Sequence, residues 1–163
     1  MVSTLSPGGT GVPGRAGAQR GTEQAVPVRR VPPTVLGLLE SARRGLAEAE
    51  TETTPGTRYI CAHLAALRAA AAVVAARGEP PTRRRKPRSV WELLPQVEPT
   101  LAEWAAFFAA SASKRAAAEA GLPRAASAHE ADDLLRDAET FVSVAERALG
   151  VAGQALLPLR PAS

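Results

Sequence analysis

The sequence has few of the residues that usually build metal and redox sites. Its 163 residues include one cysteine, Cys61, and two histidines, His63 and His129. A single cysteine excludes an internal disulfide and a cysteine metal cage, and it fits a protein of a reducing compartment. No histidine stands at Glu-x-x-His spacing to the carboxylates of the chain. We therefore expect neither a metal site nor a cofactor.

Long apolar runs are also missing. The longest, "AAAAVVAA", covers residues 69–76 and is far shorter than the roughly 20 residues that span a bilayer. The N-terminal region has no continuous apolar stretch, so we expect no signal peptide. These absences predict a cytoplasmic protein without a membrane partner.

Lysine is scarce, and arginine outnumbers it 18 to 2 in a chain of net charge +4. The most basic stretch, "TRRRKPR", covers residues 82–88. It predicts a loop that binds RNA or another polyanion through five side chains: Arg83, Arg84, Arg85, Lys86 and Arg88. The alternative is a solvated loop that only connects helices. Trp91 beside it could stack on a base, or pack a short helix onto the rest of the protein.

Alanine is abundant, whereas aromatic residues make up only 4% of the chain. Alanine favours closely packed helices, because strands prefer β-branched and aromatic residues. Residues 1–32 are rich in glycine, proline and serine, which predicts a disordered tail, and residues 151–163 resemble them. The sequence therefore predicts one helical domain over residues 33–150 between two flexible tails.

Helix boundaries can be predicted from capping residues and apolar spacing. A stripe after Pro33 predicts a first helix from Thr34 to about Glu50. Thr54, followed by proline, predicts the start of a second helix, and Gly78 its end. Its predicted buried face consists of Ile60, Leu64, Leu67, Ala71 and Val74.

Three capping boxes follow, in which a serine or threonine precedes a glutamate by three residues. Ser89–Glu92 opens a short helix that Pro95 ends, Thr100–Glu103 a longer helix, and Ser127–Glu130 the last helix. The last helix is predicted to bury Leu134, Leu135, Ala138, Phe141, Val142 and Ala145. Its carboxylates form a solvated face, with a surface ion pair between Asp132 and Arg136. The whole pattern predicts an all-α protein, an antiparallel four-helix bundle with one additional short helix.

Three stretches carry a resemblance to a known family: "RYICAHLAALRAAAAVVA", "RRRKPRSVWELLPQVEPTLAEWAAFFA" and "EADDLLRDAETFVSVAERALG". With them, residues 57–150 resemble a small actinobacterial, Streptomyces-type branch of the HEPN superfamily. The resemblance implies an all-α bundle. Active members are dimeric, metal-independent ribonucleases with an arginine and, four to six residues later, a histidine near the start of the last helix. Many other members are non-catalytic partners or RNA-binding modules.

Two arginine–histidine pairs have a spacing of five residues. Arg124 precedes the Ser127 cap and His129 lies in the first turn of the last helix, which is the position that the resemblance implies for a catalytic pair. Ala125 follows the arginine, where active members usually have a polar residue. The second choice is Arg58 with His63, which fall on different faces of one helix and are therefore expected to be structural.

From these observations we expect a HEPN-like domain that forms a homodimer. It would bind RNA or a protein partner without catalysis, in a toxin–antitoxin or defence context. The alternative is a metal-independent endoribonuclease. In that enzyme Arg124 would hold the scissile phosphate, and His129 would take the proton of the ribose 2′-hydroxyl to give a cyclic phosphate.

Overall fold

The computed structural model describes residues 30–80 and 88–151. In these ranges the chain forms five α-helices and no strand, which confirms the predicted all-α class. The helices are α1 (Pro33–Thr51), α2 (Pro55–Arg77), α3 (Val90–Val97), α4 (Ala102–Glu119) and α5 (Ala128–Ala148). A 3₁₀ turn, Pro99–Leu101, separates α3 from α4. Both predicted tails, apart from their innermost residues, lie outside the described residues, as do Arg83, Arg84, Arg85 and Lys86.

Helix α2 lies at the centre and is in contact with α1, α3, α4 and α5. Its buried residues include six alanines, and these small side chains let the surrounding helices approach closely. The predicted buried face was wrong for four of its five residues: Val74 is buried, but Ile60, Leu64, Leu67 and Ala71 are only partly buried. The larger aliphatic side chains occupy the side of α2 that the other helices leave partly open.

A glycine sets the distance between α1 and α2. Gly45 is buried in α1, and a Cβ atom at this position would lie 3.3 Å from the Cβ of Ala65 in α2. Such a contact is tighter than most Cβ contacts, so a larger residue would push the two helices apart. Glycine weakens a helix interior by roughly 1 kcal/mol relative to alanine, and here the close approach offsets that cost.

The few aromatic residues are concentrated between α3, α4 and α5. Trp91 is buried and stacks on Phe108 at a centroid distance of 5.2 Å, while Phe108 and Phe141 lie 5.3 Å apart. Trp104 contacts Phe141 at 5.6 Å. Trp91 therefore packs the short helix α3 onto the bundle, and its burial contradicts the alternative of stacking on a base.

Two of the three predicted capping boxes are present. The hydroxyls of Ser89 and Ser127 accept hydrogen bonds from the amides of Glu92 and Glu130, whose carboxylates accept from the amides of the two serines. The box at Thr100 was wrong, because Pro99–Leu101 forms a 3₁₀ turn and α4 begins at Ala102.

Two smaller predictions about helices were also wrong. Pro95 does not end α3 but lies inside it, two residues before its last residue, where few backbone bonds remain to be lost. Leu135 is only partly buried, and Ala131 takes part in the buried face of α5.

In the described part of the chain, only α2 is long and apolar enough to cross a membrane. Of that apolar stretch, 56% is buried inside the protein. Burial against four other helices is the property of a core helix rather than of a lipid-facing span.

Candidate functional site

His63 lies in the core, where none of its surface is exposed to solvent. Its Nε2 atom lies 3.0 Å from the carbonyl oxygen of Phe108, and Nδ1 lies 3.3 Å from Nη1 of Arg115. A carbonyl oxygen only accepts and a guanidinium only donates, so Nε2 carries the proton and Nδ1 accepts. Both ring nitrogens are thus used within the protein, and the ring joins α2 to α4 at two points.

The surroundings of His63 also favour the uncharged ring. Burial lowers its pKa, the nearby Arg115 guanidinium lowers it further, and the bond to Phe108 opposes both effects. The rings of Trp91 and Phe108 lie in T-shaped arrangement with the imidazole, at centroid distances of 5.9 and 6.0 Å. A histidine in this environment has neither a free lone pair nor solvent access, so it cannot take a proton from a substrate.

Arg58 forms a clamp between neighbouring helices. Its Nη1 pairs with the carboxylate of Asp132 in α5, and its Nη2 donates to the carbonyl oxygen of Glu52 at 2.6 Å. The predicted surface pair between Asp132 and Arg136 is therefore wrong, since Arg136 pairs with Asp133. No hydrogen bond joins Arg58 to His63 in the described residues. In this second-choice pair His63 lies in the core, whereas Arg58 links the end of α1 to α5.

Arg124 lies in the connection between α4 and α5 and has a positive φ of 64°. Left-handed backbone is unfavourable for a residue with a Cβ atom, and here it turns the chain toward the cap of α5. Arg124 lines an open cavity of about 410 Å³ together with the start of α2. The other lining residues are Thr54, Pro55, Gly56, Thr57, Ala118, Gly121, Leu122, Ala125 and Ala126.

His129 follows in the first turn of α5, with 84% of its side chain exposed. Its Nε2 lies 3.1 Å from a carboxylate oxygen of Asp133, one turn further along the same helix. Arg124 and His129 share no hydrogen bond, and His129 is not among the residues that line the cavity. The structure therefore places the first-choice pair at the same end of the bundle without joining the two side chains.

The remaining predicted contact of the basic segment is Arg88, which is partly buried. Its Nη1 donates to Oε1 of Gln96 in α3 at 3.0 Å, so one donor of the guanidinium is used within the chain. Arg88 also lines an apolar groove between α2 and α3.

A second charged region lies between α1 and α5. Arg43 donates two hydrogen bonds to Glu146, at 2.7 and 2.6 Å, beside a groove of about 470 Å³. Burial and the neighbouring Glu50 carboxyl raise the pKa of Glu139 in this groove. Across the described residues, no group of three or more His, Cys, Asp or Glu side chains could hold a metal ion.

Several contacts between helices have no local signal in the sequence. Arg115 lies 52 positions after His63, and Lys114 pairs with Glu130 across α4 and α5. This pair, followed by the amide of Ser127, lowers the pKa of Glu130 to about 2. The only local feature of these two residues is that Lys114 and Arg115 are adjacent basic residues of α4. Their partners belong to other helices, so the local sequence could not identify them.

The geometry is that of an all-α bundle in which several charged side chains form ion pairs between helices. A family model described as HEPN_SAV_6107-like HEPN matches residues 49–146, from the end of α1 to near the end of α5. No curated protein and no solved structure matches the chain. Because the matched residues make up more than half of the chain, the predicted HEPN relationship is confirmed, and the protein belongs to the HEPN_SAV_6107-like HEPN family.

Proposed function

We propose that this HEPN domain is a non-catalytic binding module of the cytoplasm that engages an RNA or a protein partner in a toxin–antitoxin or defence context. The observation that carries the proposal is the state of the two histidines. His63 is buried with both ring nitrogens bonded, and His129 faces Asp133 rather than Arg124. Neither histidine is paired with its arginine, so neither pair has the arrangement of a nucleophile-activating site.

The charge of the chain supports RNA as one class of partner. A net charge of +4 is accompanied by a cluster of five basic residues within positions 83–88. Contacts of such residues with phosphates release counterions, and binding then weakens steeply as salt rises. Three or four contacts correspond to a slope of log affinity against log salt on the order of −2 to −3 for a single strand.

The first experiment is a titration with single-stranded RNA over a range of salt concentrations. Replacing Arg83, Arg84 and Arg85 by alanine should flatten the slope. The matched control replaces three other arginines, Arg44, Arg136 and Arg147, and removes the same charge from exposed positions of α1 and α5. RNA binding that is equally weak in both variants would contradict recognition by the basic segment, and no RNA binding by the wild type would leave a protein partner.

A specific observation keeps a metal-independent endoribonuclease as the second candidate. Arg124 lines an open cavity, and His129, five residues later, is largely exposed. In this enzyme both side chains would contact one phosphate of the RNA. Incubation of the protein with RNA in EDTA distinguishes the two functions, because we expect no cleavage from the binding module.

Three variants test the second candidate: two alter the first-choice pair, and the third removes the buried histidine. If cleavage is observed, His129→Ala and Arg124→Ala should each abolish it at unchanged thermal stability. His63→Ala should lower stability instead, because it removes a buried ring from the core. Cleavage that depends on His63 would contradict both candidates.

A further inference from the structure

The groove between α2 and α3 is an apolar surface that the described helices leave open, with a volume of about 440 Å³. Glu79 and Arg88 add one charge of each sign to its lining. Its other described lining residues are apolar: Ala71, Val74, Ala75, Gly78, Val90 and Leu93. Most of them are exposed or only partly buried, although Val74 is buried. An open groove of this kind fits an extended segment with apolar side chains.

The C-terminal segment of the chain has the composition that such a groove requires. Residues 154–159, "QALLPL", contain three leucines, whereas residues 1–29, which precede the described chain, contain one. Leucine side chains at this density gain free energy when they leave water. Residues 152–163 contain no acidic residue, so nothing in them repels Glu79 of the groove.

The described chain stops close enough for this segment to reach the groove. Val151 packs against a small apolar cluster that includes Leu39 of α1 and Ala72 of α2. Ala71, the neighbour of Ala72 in the chain, lines the groove on another side of the same helix. An α-helix with its side chains is about 10 Å across. Five extended residues span up to about 17 Å, so Leu156 lies within reach.

The spacing of the leucines also fits the length of the groove. The stretch "LLPLRP", residues 156–161, contains two prolines, which lack an amide proton and favour a polyproline II helix. With three residues per turn, such a helix would place Leu156 and Leu159 on one face, about 9 Å apart. The lining of the groove along α2, from Ala71 to Gly78, is about 10 Å long.

We propose that residues 154–161 bind in the groove between α2 and α3 of their own chain, with Leu156 and Leu159 against its apolar lining. The tail whose composition predicts flexibility would thus be held on the domain. It would lie beside Arg88, the last residue of the basic segment, and a protein partner that uses the groove would have to displace it. This inference does not depend on the proposed function, because it involves neither RNA nor an arginine–histidine pair.

Disulfide exchange in the full chain tests the proposal. In a Cys61→Ala background, Ala155→Cys places a thiol in the segment and Ala75→Cys places one in the groove. In a glutathione buffer the fraction of disulfide gives the effective concentration of the two thiols. The matched control replaces Ala75→Cys by Glu40→Cys, an exposed position of α1 next to Leu39 of the cluster that Val151 contacts. A free tail would reach this position as easily.

We expect the effective concentration to be at least about tenfold higher for the thiol in the groove than for the control thiol. Equal values at the two positions would show that the segment does not bind in the groove and would overturn the proposal. Disulfides that join two chains, and that increase with protein concentration, would assign the groove to the segment of a second copy. That result would overturn the proposal as well.

Two serine substitutions provide a second measurement. Leu156→Ser removes a side chain from the proposed contact, whereas the matched control Leu157→Ser removes one from a different side of a polyproline II helix. In the protein with thiols at positions 75 and 155, Leu156→Ser should lower the effective concentration to the value of the Glu40→Cys control. Leu157→Ser should leave it unchanged. Equal effects of the two serines would contradict the proposed contact.

Discussion

His63 shows how a single polar side chain can join two helices of an alanine-rich core. Its position beside the core could be predicted from helical spacing, because it lies close to the apolar residues of α2. Its second partner, Arg115, could not be predicted, since nothing in the local pattern relates residues 52 positions apart. For the same reason the contacts of Arg58 with Asp132 and Glu52 could not be predicted.

The burial of His63 has a consequence for stability at acidic pH. The ordinary pKa of histidine is about 6.5, and burial lowers the pKa of this ring in the folded protein. The unfolded chain therefore binds a proton at this residue more readily than the folded chain does. The stabilisation is complete above pH about 6.5 and is lost as the pH falls from there toward the folded-state pKa. We expect urea unfolding midpoints to fall over this interval.

Two variants identify the residue responsible for this loss. Glutamine at position 63 does not titrate and can still donate to Phe108 and accept from Arg115, so His63→Gln should remove most of the dependence on pH. His129→Gln should retain it, because this variant leaves His63 and its two partners in place. Arg115 and Glu119, which face the ring from α4, are present in all three proteins. A pH profile that changes only in His129→Gln would refute the assignment to His63.

At the scale of the helices, local signals predicted most boundaries. The capping boxes at Ser89 and Ser127 are present because each serine directly precedes the first helical residue. The third signal failed because Pro99 begins a 3₁₀ turn that already contains Thr100, whose hydroxyl donates to Glu98 instead. The spacing of serine or threonine and glutamate thus predicts a cap only where the backbone before the helix is extended.

This difference predicts unequal effects of two similar substitutions. Ser127→Ala should lower the free energy of unfolding by about 1 kcal/mol, because it leaves an amide of the first turn of α5 without its acceptor. Thr100→Ala should change it by less than about 0.5 kcal/mol, since its hydroxyl caps no helix. Urea titrations of both variants measure the two changes. Equal losses would mean that the hydroxyl at position 127 does not act as a cap.

At the scale of the whole molecule, composition predicted the all-α class, and the family comparison supports it independently. The arrangement around α2 was not predictable from hydrophobicity, because sequence patterns assign burial to large aliphatic residues such as Leu64. A central helix in contact with four others is limited by space, so alanine takes the crowded positions. The arginine–histidine pairs remain predictions, as does homodimer formation.

Enlarging one alanine at a time tests this description of the core. Ala69 has no exposed surface, whereas Ala75, two turns further along α2, is exposed. Ala69→Leu should lower the free energy of unfolding by about 1–3 kcal/mol through overpacking. Ala75→Leu should change it by less than about 0.5 kcal/mol. Thermal or urea unfolding of the two variants gives the comparison, and a tolerated leucine at position 69 would contradict close packing around α2.

The alanines of α2 also make this helix unusually sensitive to changes in its gene. Every single-base change in the first or second position of an alanine codon encodes glycine, valine, serine, threonine, proline or an acidic residue. Each of these is larger, more polar or less favourable in a helix than alanine. A codon for a buried leucine or isoleucine can mutate to a codon for the other residue or for valine with little loss of stability. The codons for the buried alanines of α2 have no such neutral neighbours. At the buried alanines of the central helix, a mutation that changes the amino acid is therefore rarely neutral.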